Sequence, residues 1–242
     1  LITPQETKQI DEIIKQTNEI NTAGVDTARI VSLSGPSGHA IITIADDGEN
    51  AITIFPGANR LIDSDQVQLW LATISATDWL VLQNETSQQR LAAELAKSRG
   101  ARVVYSAAPF DAEVVADILP FIDFLCVNEI EAAALINHFN VKSLNNLGVN
   151  ALLITHGSQG AVYHNFEKKL EITVKGIPVQ VVDTTGAGDT FCGYFIALLS
   201  QGKDPLAALN IANKAAALKV TKLGTADAIP SLVDVLDFNN ER

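Results

Sequence analysis

The residues best suited to chemistry in this 242-residue chain form one short run, Asp183-Thr184-Thr185-Gly186-Ala187-Gly188-Asp189. Val181 and Val182 read as strand residues leading into a turn of small side chains. A helix comes at once, from near Gly188 to Gly202. Backbone N–H groups at such a helix start lack intrahelical acceptors, and the macrodipole adds partial positive charge, which makes an anion hole suited to phosphate. Glycine at 186 and 188 lets a ligand approach the main chain closely. An acid at 189 then puts negative charge where a phosphate would bind, and two readings of it stand. Asp189 is a general base that takes a proton from a hydroxyl attacking phosphorus, or it only complements the helix dipole. The segment is not a P-loop, because no Lys follows Gly193. It is not a dinucleotide fingerprint either, because residue 191 is Phe.

The elements around this run alternate regularly. Strands are expected at Trp79–Leu82, Arg102–Tyr105, Phe124–Val127 and Ala151–Thr155. Helices are expected over Gln88–Arg99, about Glu113–Leu119 and Glu129–His138. Short apolar strands alternating with amphipathic helices predict an α/β fold with a mostly parallel sheet covered on both faces. Ligands of such sheets sit at the carboxyl ends of the strands. Ala161–Tyr163 and Glu171–Val174 read as antiparallel strands at one edge, and a last helix capped by Asp204, with Pro205 behind it, runs toward Val220. Nearer the start, a helix from Thr3 to about Asn18 precedes a hairpin of Ala40–Ile44 and Ala51–Phe55 with a polar tip at Asp46–Asn50.

With these elements in place, the chain resembles the ribokinase-like (PfkB) family of sugar and nucleoside kinases. Asp183–Asp189 matches the family's carboxy-terminal signature residue for residue. Asn128-Glu129-Ile130-Glu131 resembles its N-x-x-E element, Thr155–Gly160 its nucleotide-phosphate segment, and Lys219–Thr225 the loop by the adenine pocket and potassium site. Gly48-Glu49-Asn50 with Pro56-Gly57-Ala58-Asn59, and Gln83-Asn84-Glu85-Thr86, look like the lid and sugar-contacting elements of the ribokinases in that family. The resemblance implies a three-layer α/β/α domain over 1–242 with a small β lid at about 38–59. Its activity would be transfer of the γ-phosphoryl group of ATP to a primary hydroxyl of a small sugar, ribose leading. Carried over by position, Asp189 is the catalytic base, and Gly186, Ala187 and Gly188 form the anion hole. Asn128, Glu131, Thr155, Gly157, Gly160 and Asn213 serve the nucleotide. Glu85, Asn59 and Asp189 serve the sugar. Asp183, Thr185, Lys219, Lys222 and Gly224 surround a monovalent cation. Mg2+ with ATP, and K+, are the implied cofactors, and the lid strands are a surface for a homodimer.

The sequence also departs from the family. The sugar-binding Asp of a first strand and the Gly-Gly sugar motif after it are not present, and the chain holds no Met, initiator included. A parallel sheet without its first strands would expose an apolar edge, so the reading expects an N-terminal segment that is lost, cleaved or not shown in this sequence. Ala228 stands where ribokinases carry a small hydroxyl residue near the cation.

Each candidate has a plainer reading. Glu131 alone is a solvated helix residue, Glu85 a helix cap and Asn59 a turn residue. His39, His138, His156 and His164 show no metal spacing, and Trp70 and Trp79 read as core. The net charge of −11, from 28 acidic and 17 basic residues, argues against nucleic acid or an anionic membrane as partner. No run of about 18 apolar residues marks a membrane span. Cys126 and Cys192 lack CxxC spacing and read as reduced thiols of a cytoplasmic protein. Two rivals remain: a nucleotide- or sugar-binding pseudokinase without turnover, and a dinucleotide-dependent oxidoreductase, whose glycine-rich first turn is not found.

Overall fold

The computed structural model describes residues 17–44 and 50–238, in two compact units, Leu1–Leu61 and Ile62–Arg242. The helix expected from Thr3 falls on these residues only at its end, where α1 covers 17–22, and residues 46–49 of the hairpin tip lie outside them. In the first unit, β1 (His39–Ile44) pairs antiparallel with β2 (Asn50–Phe55), with His39 opposite Phe55 and Ile44 opposite Asn50. A 3-10 turn at Gly57–Arg60 comes next, and Ala58 N–H donates to the Pro36 carbonyl at 2.9 Å. His39 packs against Phe55 with ring centroids 5.1 Å apart and planes tilted by 35°, so it serves the hairpin as a strand residue.

The second unit is built on six strands, β3 (Trp79–Gln83), β4 (Arg102–Ser106), β5 (Phe124–Asn128), β6 (Ala151–Thr155), β7 (Gly160–Asn165) and β8 (Leu170–Lys175), lying side by side in sequence order. The first four are parallel and the last two antiparallel, as the sequence pattern predicts. Alternation along these strands feeds two cores. Val103, Tyr105, Leu125, Val127 and Leu152 pack under α3 (Gln89–Ser98), α4 (Ala112–Ile118) and α5 (Glu129–Phe139), meeting Ala96, Val115 and Leu135. Val104, Phe124, Cys126 and Leu153 point the other way, toward α6 (Ala187–Ser200) and α7 (Pro205–Lys219).

Phe195 anchors that second core. Its ring meets Tyr163 edge-on at 5.0 Å and Phe124 at 6.1 Å, so α6 is fixed on the sheet a turn and a half beyond the candidate base. Asp204 caps α7 by accepting from Ala207 N–H at 3.1 Å. Cys126 is buried and touches Cys192, and that contact together with burial pushes its thiol well up, which leaves it unreactive.

Three expectations change. Helices α2 (Ser64–Trp70) and α8 (Leu232–Asp237) were not foreseen; each is short and offers one buried residue, Val67 or Val235. Val181 and Val182 form no strand: both are more than half exposed, and their segment is held instead by Val182 and Asp183 N–H on the Val220 carbonyl. Trp70 and Trp79 are half-buried, with Trp79 at the margin of the second core and the Arg102 guanidinium over its ring at 5.1 Å. No helix among the described residues is long and apolar enough to cross a membrane.

Candidate active site

Register collects the candidate residues at one edge of the sheet. Gln83 ends β3 level with Ser106 and Cys126, and two residues further on Asn128 and Thr155, paired across β5 and β6, end their strands at the same edge. Thr155 in turn lies opposite Ala161 on β7, next to Gly160. This is the carboxyl edge of the parallel strands, where ligands of open α/β sheets bind.

Helix α6 begins at this edge without a side-chain cap. Gly186 takes the N-cap position in the left-handed region, φ +72°, a conformation that favours glycine. The amides of the expected anion hole are not equivalent. Ala187 N–H is spent on the Thr184 carbonyl at 3.1 Å, whereas the amides of Gly186, Gly188 and Asp189 have no acceptor among the described residues. Asp189 is exposed on the first turn, and the Gln83 side-chain amide donates to its Oδ1 at 2.7 Å. Gln83 was not singled out from the sequence, since its partner lies 106 residues away.

Beside α6 opens a cleft of about 510 Å3, lined among others by Thr155, Gly157, Gly160, Ala187, Gly188 and Asn213. Six of the expected nucleotide and anion-hole residues thus share one cavity, floored by Phe191, Ala216 and Val220. Asn213 is buried and donates to the Lys175 carbonyl at 2.8 Å, which ties α7 to the end of β8. Gly160, φ +108°, crosses β8 so closely that a Cβ there would stand 2.0 Å from the Val174 carbonyl oxygen.

Asn128 and Glu131 do not line the cleft. They form a reciprocal capping box at the start of α5, with Asn128 Oδ1 accepting from Glu131 N–H at 2.9 Å and Glu131 Oε2 from Asn128 N–H at 2.8 Å. Burial raises the Glu131 carboxyl, and the Asn128 amide pulls the other way. Alongside, His156 Nδ1 lies 3.1 Å from Glu129 Oε2, linking the β5 and β6 loops, a contact the sequence did not disclose.

Glu85 sits half-buried in the turn between β3 and α3. That turn is pinned by the buried Asn84, whose side chain donates to the Pro109 carbonyl at 2.9 Å, and by Gln89 Nε2, which donates to the Thr86 carbonyl at 2.7 Å. Asn59 belongs to the first unit, in its 3-10 turn.

Asp183 is a hub. Its carboxylate accepts from Thr185 N–H at 2.9 Å and Gly224 N–H at 3.1 Å, and its own carbonyl accepts from Lys219 Nζ at 3.3 Å. The bonds from Thr185, then from Gly224, hold its carboxyl down to about 2, with the Lys219 charge assisting. Lys222 is exposed.

Comparison with known proteins agrees with this arrangement. Residues 15–232 match the pfkB family carbohydrate kinase description. The ribokinase of Haemophilus influenzae is 36% identical over 234 residues, spanning 91% of this chain and 75% of that protein. The ribokinase of Staphylococcus aureus is 33% identical over 230 residues, spanning 90% and 75%. Among solved structures, ribokinase from Cryptococcus neoformans var. grubii in complex with ADP superposes with a TM-score of 0.79 at 27% identity, over 94% of this chain and 79% of that one. Arabidopsis thaliana ribokinase complexed with ribose and ATP gives a TM-score of 0.71 at 29% identity, over 85% and 71%. With the family description matching nearly the whole chain, the carboxyl-edge cleft and the uncapped helix bearing Asp189 are those of a member of the pfkB family of carbohydrate kinases.

Proposed function

We propose that this protein transfers the γ-phosphoryl group of Mg-ATP to a primary hydroxyl of a small sugar, with ribose the leading acceptor. The observation that carries the reading is Asp189 on the first turn of an uncapped helix, one carboxylate oxygen held by Gln83 and the next residue back lining the cleft. Ribokinase relatives at 36% and 33% identity, and the ribose and ATP of the Arabidopsis neighbour, support the choice of acceptor and donor.

In this reading Asp189 takes the hydroxyl proton on Oδ2, because Oδ1 is occupied by the Gln83 amide. The open amides of Gly186, Gly188 and Asp189 receive the charge spread over the transferring phosphoryl group. Thr155, Gly157, Gly160 and Asn213 hold the nucleotide in the cleft. Magnesium arrives as part of the nucleotide substrate, and Glu131 Oε1 is the carboxylate oxygen that the capping box leaves over. The sugar contacts of Glu85 and Asn59, the lid role of residues 38–59, a single kinase domain, a cytoplasmic location and a homodimer come from the family resemblance and belong to the proposal.

Sugar-dependent ADP release with Mg-ATP, compared across ribose, fructose, 2-keto-3-deoxygluconate and adenosine, tests it. Ribose is expected to give the highest kcat/KM. Nucleotide binding with no release from any acceptor would overturn the reading in favour of a pseudokinase.

A further inference from the structure

Lys219 is the one charged side chain among the described residues with no solvent exposure. A buried ammonium is costly unless partnered, and its partners here are specific. It is the last residue of α7, so the negative end of that helix faces its charge. Its Nζ donates to the Asp183 carbonyl at 3.3 Å and stands 3.9 Å from Asp183 Oδ2. The Asp183–Thr184 peptide is trans. With its carbonyl turned onto Lys219, its N–H points the opposite way, and Thr184 lines the cleft. The ammonium thus fixes, from behind, the first peptide of the loop that carries the open amides.

The family resemblance puts a monovalent metal cation among these same residues, and the donor set does not fit one. The Asp183 carbonyl is taken by Lys219 Nζ, and the Lys219 carbonyl by Lys222 N–H at 3.1 Å. Gly224 turns its N–H toward the Asp183 carboxylate, so a donor already occupies that oxygen. A second unit charge beside a buried ammonium would also be repelled across a low-dielectric interior.

We propose that the Lys219 ammonium is a built-in monovalent cation: a positioning residue that holds the Asp183–Gly188 loop and makes added potassium unnecessary. The effect on rate rests on the kinase reading, whereas the cation site itself does not.

The test compares sugar-dependent kcat and thermal midpoint in matched potassium, sodium and tetramethylammonium chloride. The unaltered protein is expected to show the same midpoint and a kcat equal within about twofold in all three salts. Lys219→Ala, which removes the charge and leaves room, should lose at least about tenfold in kcat in tetramethylammonium, because the loop donors are no longer held. Potassium or ammonium ion should restore its rate and raise its midpoint. Lys219→Met, which fills the space without charge, should stay low in every salt. The proposal is overturned if potassium raises the rate or midpoint of the unaltered protein. It is equally overturned if Lys219→Ala is active, or impaired, to the same degree in all salts. Should Lys219→Ala fail to fold, the comparison on the unaltered protein decides alone. The midpoint needs no phosphoryl transfer, so an inactive protein with a salt-independent midpoint would sink only the kinase reading.

Discussion

The Gln83 side-chain amide donates to Asp189 Oδ1 at 2.7 Å, joining the last residue of β3 to the first turn of α6. A charge-assisted bond of this length fixes the carboxylate's orientation as well as its charge. It leaves Oδ2 as the other oxygen, so under the proposed function a residue outside the family signature sets the direction in which Asp189 would take a proton.

Asp189→Asn should therefore lower kcat by roughly 10²- to 10⁴-fold, the usual worth of a positioned proton acceptor. KM for ATP should change little, because the cleft residues are untouched. Gln83→Leu should cost about tenfold in kcat, the loss of one hydrogen bond to a charged group. Steady-state kinetics on both variants and on the double variant check this. If the pair acts as a unit, the double variant is no slower than Asp189→Asn alone.

These two residues also mark what the sequence could and could not disclose. Asp183–Asp189 was legible because a small-residue turn, a helix start and an acid are local features, and local features survive without tertiary information. Gln83 was quoted only as the start of the Gln83–Thr86 element, and its bond to Asp189 was invisible because it depends on a contact across 106 positions. The alternating strands were legible for the same local reason, down to the antiparallel β7 and β8. Val181 and Val182 misled because β-branched residues read as a strand wherever they fall, while here no neighbouring strand receives them. Helix α8 had a reciprocal cap in plain view, Ser231 with Asp234, but six residues with one buried side chain leave almost no periodicity to find.

Asp183 predicts an acid-sensitive loop. Its carboxyl is lowered to about 2 by the Thr185 bonds, then by Gly224 N–H and the Lys219 charge, with burial opposing. A carboxyl lowered on folding stabilises the native state while ionised. Its contribution is therefore complete above the unfolded value of about 3.9 and is lost as pH falls through about 2. Asp183→Asn should have a lower thermal midpoint than the unaltered protein at neutral pH, and the difference should shrink between pH 4 and pH 2. A difference that stays constant across that range would mean that the ionised carboxylate does not stabilise the loop.

Gly160 predicts a separation of cleft from base. Any side chain there would need φ near +108° and would bring Cβ to 2.0 Å from the Val174 carbonyl oxygen. The backbone strain alone is worth about 1–3 kcal/mol, and relieving the clash must push β7 from β8 at the cleft wall. Gly160→Ala is expected to lower the thermal midpoint and to weaken ADP binding at least tenfold, measured by calorimetry. If the variant melts lower but binds ADP unchanged, this wall of the cleft does not hold the nucleotide.

Asn128 carries the sharpest conflict between a structural and a functional role, because its side chain is already used. Oδ1 caps α5 through Glu131 N–H, and the Glu131 side chain returns the bond. Asn128→Ala should cost about 1 kcal/mol through loss of the cap, whatever the residue does for the nucleotide. It therefore decides nothing about function. Asn128→Asp does, since aspartate caps a helix as well as asparagine does while adding a negative charge where the polyphosphate is proposed to lie. If Asn128 only ends a strand and starts a helix, Asn128→Asp keeps both the midpoint and KM for ATP. If it faces the nucleotide, the midpoint is kept and KM for ATP rises several-fold, more at low salt than at high, because the added repulsion is screened by ions. The second result would add Asn128 to the residues proposed to hold the nucleotide, and the first would leave it as the reciprocal cap of α5 alone.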